Sequence, residues 1–304
     1  MDTADTFHTH RPRLLALAYR LLGSRADAED VVQDAWLRWH QADQSAIVDP
    51  LAWLVTATTR LGIDRLRALR ARREHYVGPW LPEPARIEED DGPAGDIADH
   101  APGPARAAET AEQVSLAFLA VLERLGTEER AAFLLKEAFD YDYAQIAALL
   151  GQGEANCRQM VHRARQRLAA ARARFEVSPR RHRVLLEKFM HAARGGDRAA
   201  LESLLHADAR LVSDGGGKAV AVIRPLLGGE RIARLFWAAY RRQDPAIEWR
   251  IGRVNGEPAI LRYRGGVLAA VMVAVTDGER ITELFTVANP DKLGVTNAAA
   301  GASW

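Results

Sequence analysis

The sequence predicts a multidomain protein, with two all-helical domains followed by an α+β domain that contains an antiparallel sheet. Apolar residues recur every three or four positions through 11–76 and 109–175, which is the period of an amphipathic helix. Between these segments, 78–107 is acidic and rich in Pro and Gly, as linkers are. Farther on, two helical runs precede strand-like runs separated by turn residues. We therefore place the first domain, the linker, the second domain, the third domain and a tail at 8–77, 78–108, 109–176, 181–294 and 295–304.

Composition and charge exclude several classes of protein. The 304 residues are 48% hydrophobic, enough for a core in each domain, and a formal net charge of +1 neither favours nor excludes a polyanionic partner. The single cysteine, Cys157, cannot form an internal disulfide, and the first residues lack the pattern of a signal peptide. No apolar run approaches the ~20 residues that span a bilayer. Scattered His residues indicate no metal site, and no phosphate-binding glycine motif occurs. We expect a cytoplasmic protein with no cofactor and no membrane partner.

The first helical domain contains an acidic helix and a basic one. In SRADAEDVVQDAWLRWH, Ser24 is a candidate N-cap, and the next helix begins at Asp49-Pro50, a capping residue followed by proline. The acidic side chains on one face of the earlier helix are Asp27, Asp30 and Asp34. The second half of the later helix, TTRLGIDRLRALRARR, carries more Arg than its own acids can neutralise. The acidic stripe is either solvated or meets a basic partner, and the later helix has a basic end.

Residues 125–168 fit a helix, a second helix, a tight turn and a third helix. Thr127 is a candidate cap of the first helix, the string GQG makes the turn, and the third helix begins at Glu154. The apolar face of the second helix consists of Tyr143, Ile146, Ala147 and Leu150. On the third helix Cys157 and other apolar residues point inward, and the outward residues are Arg158, Gln159, His162, Arg163, Arg165 and Gln166. A basic face can be merely solvated, but the turn, the spacing and this polar face together favour a DNA-binding helix-turn-helix.

This order of parts resembles that of an extracytoplasmic-function (ECF) sigma-70 family RNA polymerase sigma factor over roughly 11–175. The resemblance implies that the first domain is the helical bundle of sigma region 2 and that the helix-turn-helix is sigma region 4. Region 2 would then bind core RNA polymerase through DAEDVVQDAWLRW and the promoter −10 element through the arginine-rich helix. Region 4 would bind the −35 element. The partners implied are core RNA polymerase, through its beta and beta-prime subunits, and promoter DNA.

The resemblance also assigns candidate contacts residue by residue. The candidate polymerase contacts are Asp27, Asp30, Gln33 and Asp34. The candidate −10 contacts are Arg60, Asp64, Arg65, Arg67 and Arg70. Because many family members have Asn at the position of Arg60, that residue receives no base-specific role. The candidate −35 contacts are Glu154, Asn156, Arg158, Gln159, His162, Arg163 and Arg165.

Three short strings, WLPEP, DGGGK and NPDKL, together resemble the ECF subgroup with a fused SnoaL-like carboxy-terminal domain, the sigma J type. This implies a cone-shaped NTF2-like fold for the third domain, which would contact the linker and remove the need for a separate anti-sigma factor. The candidate interdomain residues are Trp80, Leu81, Pro82, Glu83, Asp214, Gly215, Gly216, Gly217, Lys218, Asn289, Pro290, Asp291 and Lys292.

Physical considerations bear on these strings too. Trp80 and Leu81 form an apolar plug on a segment that is stiffened by the flanking prolines, and this plug needs a pocket to leave water. Lys218 offers a site at which an acidic side chain such as Glu83 can bind. The alternative is that the strings are an ordinary surface turn and a flexible loop. The acidic run of Glu88, Glu89, Asp90 and Asp91 is most simply a solvated tether. The resemblance implies an equally weighted alternative, in which this segment runs toward the active-site cleft of the polymerase and its negative charge occupies a basic channel there.

Two other functions compete with this interpretation. NTF2-like folds host isomerases and hydrolases that use a pocket carboxylate, and Asp208, Asp214 and His206 are the groups available here. No second acid or Tyr pair is spaced for such a site, so we do not predict an enzyme, although a cavity that binds a small molecule stays open. A ligand-responsive helix-turn-helix regulator would share the motif, but it would not need the first 76 residues. We therefore predict a sigma factor whose activity is controlled by its fused domain.

Overall fold

The computed structural model describes residues 3–89, 114–172, 177–242 and 244–294. The predictions for most of the linker, from residue 90, and for the tail at 295–304 lie outside the described residues. The chain divides into two compact units, of which the first contains 1–74 and 121–169 and the second contains 75–103 and 170–304. Among the described residues, no helix combines the length and apolarity needed to cross a bilayer.

The first unit is helical. Its helices are Thr3–Leu22 (α1), Arg25–Gln41 (α2), Pro50–Arg73 (α3), Leu116–Leu122 (α4, shared with the second unit), Thr127–Phe139 (α5), Tyr143–Leu150 (α6) and Glu154–Arg172 (α7). Apolar side chains that include Leu14, Trp39 and Leu66 are fully buried in its core. Helices α1 and α3 approach closely at Gly62, where an added Cβ would lie 2.5 Å from Leu21 Cδ2. The predicted all-helical class is confirmed for these residues.

Local capping explains where these helices begin. Ser24 accepts a hydrogen bond from the Asp27 amide at 3.3 Å, and Asp49 accepts one from the Ala52 amide at 3.0 Å, so both predicted N-caps are confirmed. The predicted cap at Thr127 is wrong, because α5 already has its N-cap at Gly126. The Glu129 carboxylate accepts from the Gly126 amide at 3.2 Å, which fixes the start one residue earlier.

The helix-turn-helix forms where the spacing predicts it. Gly151 ends α6 with φ +65°, a conformation that glycine adopts without strain, and α7 begins at Glu154. The inward residues of α7 are buried; they are Cys157, Met160, Val161, Ala164 and Leu168. The predicted apolar face of α6 is buried at Ile146 and Ala147 but only half-buried at Tyr143 and Leu150, and Leu149, which the prediction did not include, is buried.

The second unit consists of helices packed on one sheet. Its helices are Pro179–Gly195 (α8), Arg198–Leu204 (α9) and Gly229–Tyr240 (α10). Its strands are Ile87–Glu89 (β1), Leu205–Asp214 (β2), Leu226–Leu227 (β3), Ile247–Val254 (β4), Glu257–Arg264 (β5), Val267–Thr276 (β6) and Ile281–Val287 (β7). The sheet order is β1-β4-β5-β6-β7-β2-β3. Phe189 and Ile232, from α8 and α10, belong to the core that these helices form against the sheet.

The observed sheet contains the predicted meander, but not all of its neighbouring strands are antiparallel. Strands β4 to β7 pair antiparallel, and Asn255-Gly256 turns the chain with positive φ at both residues, as tight hairpin turns require. The prediction of a wholly antiparallel sheet is wrong for one pair, because β2 runs parallel to β7. Parallel neighbours need a long connection, and the chain between β2 and β7 passes through α10 and the whole meander. The observed sheet is therefore mixed.

Candidate nucleic-acid interface and linker-binding site

The outer face of α7 is exposed as far as residue 167, as a groove-reading helix requires. Arg158 pairs with Glu154 at 2.8 Å and lies 5.4 Å from the centroid of the Tyr143 ring. The Asn156 amide donates to Gln152 at 3.0 Å. These contacts are short-range and exposed, so they cost little to exchange for contacts with DNA. The α7 residues proposed for −35 are all exposed; they are Glu154, Asn156, Arg158, Gln159, His162, Arg163 and Arg165.

The second half of the same face is tied to α5. Arg165 pairs with Glu137 at 2.6 Å, and Arg167 pairs with Glu129 at 2.5 Å. Arg163 lies 3.8 Å from the same Glu129 carboxylate. The hydrogen bond to Glu137 raises the pKa of Arg165. These ion pairs hold α7 on α5 and leave the first half of its face open.

The basic end of α3 contacts the helix-turn-helix segment of the same unit. Arg67 donates to Glu128 at 2.6 Å, and Arg70 donates to the Leu125 carbonyl at 2.6 Å and to Thr127 Oγ1 at 3.1 Å. The hydrogen bond from Arg67 lowers the pKa of Glu128, and burial lowers the pKa of Arg70. The side chains of two of the five candidate −10 residues are thus already hydrogen-bonded to α5 and to the turn before it.

The other candidate −10 residues differ in their surroundings. Arg60 donates to the Leu149 carbonyl at 3.4 Å, at the end of α6, and Asp64 pairs with Arg67 at 3.2 Å. Arg65 instead pairs with acidic side chains of α2. The structure therefore turns the arginine-rich helix toward other parts of its own unit.

The acidic stripe on α2 is partly neutralised within the unit. Arg65 pairs with Asp27 at 2.5 Å and with Asp30 at 3.5 Å. Gln33 and Asp34, farther along α2, are exposed. A candidate −10 residue and two candidate polymerase contacts are thus joined in one ion-pair cluster, which the sequence did not reveal because the residues are 35 and 38 positions apart.

A buried cluster that the sequence analysis missed fastens α3 to the second half of the unit. Glu123 pairs with Arg73 at 3.0 Å and also with Arg130, whose side chain is fully buried. Arg130 further donates to the Arg20 carbonyl at 3.0 Å. Burial lowers the pKa of Arg73. The sequence around Glu123 does not indicate a buried ion pair, because a Glu in this helical pattern is typical of an exposed surface position.

The linker is held on the second unit by a buried carboxylate. Asp214, at the end of β2, accepts hydrogen bonds from the Tyr76 hydroxyl at 2.5 Å and from the Leu81 amide at 2.8 Å. Burial, and then the hydrogen bond to Asp214, raise the pKa of Tyr76 well above its usual range. The same carboxylate pairs with Lys292 at 2.7 Å, and both side chains are almost inaccessible, 0% for Asp214 and 5% for Lys292.

Lys292 completes this arrangement. Its ammonium also donates to the Leu81 carbonyl at 2.5 Å and lies 4.0 Å from the centroid of the Trp80 ring. Asn289 donates to the Tyr76 hydroxyl at 2.8 Å. We call this cluster the linker clasp; it consists of Tyr76, Trp80, Leu81, Asp214, Asn289 and Lys292. All three strings of the sequence analysis contribute to it, and Leu81 is buried.

The glycine string DGGGK leaves space for the side chains of Asn289 and Tyr76 in the linker clasp. Gly216 has φ +57°, and an added Cβ would lie 2.3 Å from Asn289 Nδ2 and 2.9 Å from the Tyr76 hydroxyl. The predicted site for Glu83 on Lys218 is wrong, because Lys218 pairs with Asp291 at 2.5 Å. The turn that carries NPDKL brings Asp291 beside the glycine loop, so the ammonium is taken by its own unit.

A second anchor fixes the linker as far as its last described residue. The Asn255 side-chain oxygen accepts from the amides of Ala85 and Arg86, at 2.8 and 3.1 Å, and β1 then pairs with β4. Glu89 accepts from the Tyr263 hydroxyl at 2.6 Å and pairs with Arg250 at 2.7 Å. The Tyr263 hydroxyl and then Arg250 lower the pKa of Glu89. The interpretation of this acidic run as a solvated tether is therefore wrong for Glu89; the two acids that follow it lie outside the described part of the chain.

The groups available to a hydrolase or isomerase do not converge on one site. The Asp208 side chain is 95% exposed, and its carboxylate lies 4.0 Å from Nδ1 of His206, which is half-buried. Asp214 is committed to the linker clasp. Within the described ranges, no group of three or more His, Cys, Asp or Glu side chains could hold a metal ion.

Comparison with known proteins gives consistent matches along the chain. Residues 6–72 match the family model of Sigma-70 region 2, and residues 115–168 match that of Sigma-70 region 4. The chain is 37% identical over 297 residues to the ECF RNA polymerase sigma factor SigJ of Mycobacterium tuberculosis, covering 94% of this chain and 91% of the relative. It is 32% identical over 303 residues to a probable ECF sigma factor, SigI, of the same organism, covering 97% and 96%. The crystal structure of M. tuberculosis SigJ aligns with a TM-score of 0.72 at 34% identity, over 97% of this chain and 99% of that one.

Proposed function

Because the chain belongs to the ECF family of sigma-70 RNA polymerase sigma factors, we propose that it directs core RNA polymerase to promoters and that its second unit controls this activity by holding the linker. The sigma function rests on the family. The control rests on one observation, which is the buried Asp214 carboxylate shared by Tyr76, Leu81 and Lys292. The proposed location is the cytoplasm, where the polymerase is.

In this proposal, α7 reads the −35 element. Arg158 and Gln159 are exposed near its first turn, the part of a recognition helix that contacts base edges. Arg163 and Arg165 lie farther along; their side chains are about half exposed and pair with the less exposed carboxylates of Glu129 and Glu137, which phosphates replace in this proposal. Direct readout is thus assigned to the first half of the helix, and positioning on the backbone to the second half.

The −10 element requires a change within the first unit. Arg67 and Arg70 donate to Glu128 and to the turn before α5, so they cannot contact DNA in the same geometry. The Arg67 pair is largely exposed and weak, whereas the Arg70 contacts are half-buried. We propose that α3 separates from α5 when core polymerase binds through Asp34 and Gln33, the exposed end of the α2 stripe.

The linker clasp takes the place of a separate anti-sigma factor in this proposal. Separating one partner from a buried ion pair leaves the other charge buried and uncompensated, which is costly. The contacts of the linker clasp are therefore lost together, and the linker is released only when the whole clasp opens. The apolar plug of Trp80 and Leu81 is covered by the same residues that form the ion pair. No separate inhibitory protein is then needed to retain this segment.

Run-off transcription with purified core polymerase tests the proposed function. The full chain should yield promoter-specific transcripts only with core polymerase, and should bind promoter duplex tightly only in its presence. A helix-turn-helix regulator would instead bind a specific duplex alone and yield no transcripts. That second result would replace the sigma mechanism with the ligand-responsive one.

A further inference from the structure

The second unit contains a large cavity that is lined by residues of its helices and of its sheet. Its volume is about 680 Å³, and it is covered by α8 and α10 and lined by β2, β4, β5, β6 and β7. Cavities that hold drug-sized ligands span roughly 300–1,000 Å³. This space is therefore large enough for a small organic molecule.

Most of the cavity wall is apolar. Trp249 and Met272 line the sheet side, and Phe236 and Leu235 line the helix side. Phe236 and Trp249 are in aromatic contact, with ring centroids 6.4 Å apart. A ligand that fills this space must present an apolar body, since it would otherwise lose its hydration without compensation.

Most of the charged side chains on the described wall are cationic. Arg262 lies on β5 directly opposite Trp249 on β4, and it lines the cavity. No hydrogen bond or ion pair joins Arg262 to another side chain within the described ranges. Burial lowers the pKa of Arg262, and the nearby charge of Arg264 lowers it further. An arginine in such surroundings is matched by a planar anion that makes two parallel hydrogen bonds.

The only described carboxylate on the wall does not neutralise this arginine. Asp244 pairs with Arg264, at 3.1 Å. Arg194 and Arg242 add two more guanidinium groups to the lining. The described wall thus combines three arginines with one acid that already has a partner, which favours an anionic ligand over a neutral or cationic one.

From these observations we infer that the cavity binds a small organic acid with an apolar body, and that Arg262 holds its carboxylate. This inference does not depend on the sigma function. Ser213 lies on the cavity wall immediately before Asp214 of the linker clasp, so a ligand in the cavity contacts the strand that holds the linker.

A fluorescent fatty acid and its neutral ester test the inference directly. Dansylaminoundecanoic acid and its methyl ester have the same apolar body and differ at the head group, which is a carboxylate in the acid and an uncharged methyl ester in the other probe; each is titrated into the full-length protein. The acid should bind saturably and more tightly than the ester. Arg262→Gln should weaken binding of the acid about tenfold or more, the value of a lost charge-assisted hydrogen bond, and should change the ester little. Arg262→Lys should recover part of the loss, because it keeps the charge.

Two further variants identify the site. Arg234→Gln removes an exposed arginine of α10 that does not line the cavity, and it should leave both affinities unchanged. Ala239→Trp places a large side chain at the cavity wall from an exposed helix position, and it should abolish binding of both probes. Thermal melts establish that each variant is folded.

Three results would overturn the inference. The first is no saturable binding of the acid to the wild-type chain. The second is an equal loss for acid and ester in folded Arg262→Gln, which would make the arginine a structural residue. The third is unchanged affinity in Ala239→Trp, which would place the probe elsewhere on the protein.

Discussion

Replacing Lys292 by Met should destabilise the linker clasp far more than an ordinary lysine substitution. The side chain keeps its length, but the Asp214 carboxylate, with no exposed surface, loses its cation. The Tyr76 hydroxyl and the Leu81 amide remain as donors, so the charge is solvated only in part. Breaking one side of a buried ion pair costs about 3–5 kcal/mol in the free energy of unfolding.

The double variant separates the charge effect from the loss of packing. Asp214→Asn alone leaves a buried ammonium, whereas Asp214→Asn combined with Lys292→Met removes both charges. The double variant should cost less than the sum of the two single variants, by about 1–3 kcal/mol. Urea unfolding measures each free energy, and hydrogen exchange of the segment 76–86 reports whether the linker is released.

The matched control is the exposed ion pair in the same part of the fold. Lys218 and Asp291 are 56% and 61% exposed, so Lys218→Met should cost less than about 1 kcal/mol. The reasoning would be refuted if Lys292→Met cost no more than Lys218→Met, or if the exchange of 76–86 stayed at the wild-type rate.

The remaining predictions address the DNA interface, the first unit and the pH response. Arg158→Ala should lose about 1–3 kcal/mol of discrimination at one −35 position, measured by competition binding of the polymerase complex to promoter variants, and a uniform loss over all sequences would make it a phosphate contact. Glu128→Gln removes the partner of Arg67 and should increase −10 binding by the polymerase complex, measured with forked promoter DNA; decreased binding would count against the proposed separation of α3 from α5. Gly216→Ala should release the linker, because the added Cβ would collide with the Asn289 side chain, and the linker should then be cleaved faster in limited proteolysis. Unchanged cleavage would contradict this and would show that the glycine loop shifts to accommodate the Cβ. The lowered pKa of Glu89 means that its ion pair stabilises β1 fully above about pH 5 and less as the pH falls through the folded pKa, so the protection factors of the β1 amides, corrected for the intrinsic exchange rate at each pH, should fall in acid; equal protection factors at pH 7 and pH 3 would contradict this.

Much of the fold follows from patterns within short stretches of sequence. The turn at Asn255-Gly256, the two N-caps and the inward spacing of α7 are local, so they could be predicted. The strand β2 could not, because its residues LHADARLVSD do not alternate cleanly and the sequence run before it continues a helical pattern. Its parallel pairing with β7 depends on a path through 66 intervening residues, from 215 to 280, which no local signal encodes.

The contacts of the linker clasp also join residues that are far apart in the sequence, so they could not be predicted from local patterns. The strings that contain Asp214 and Lys292 were identified, but their direct ion pair joins residues 78 positions apart. Lys218 was given the wrong partner because Glu83 and Asp291 are equally acidic in the sequence. Tyr76 was missed altogether, since it follows the arginine-rich helix and resembles an ordinary helix end. Its partner is 138 positions away.

Promoter-specific transcription by a clasp variant tests the central claim most directly. Core polymerase is saturated with the wild-type chain, with Lys292→Met or with Lys218→Met, and run-off transcripts are quantified from the same promoter, alongside binding of each complex to −35 DNA. The account predicts that Lys292→Met changes transcript yield while −35 binding stays at the wild-type level, and that Lys218→Met behaves as wild type. If Lys292→Met releases the linker and transcript yield is nevertheless unchanged, the second unit does not control initiation through the linker.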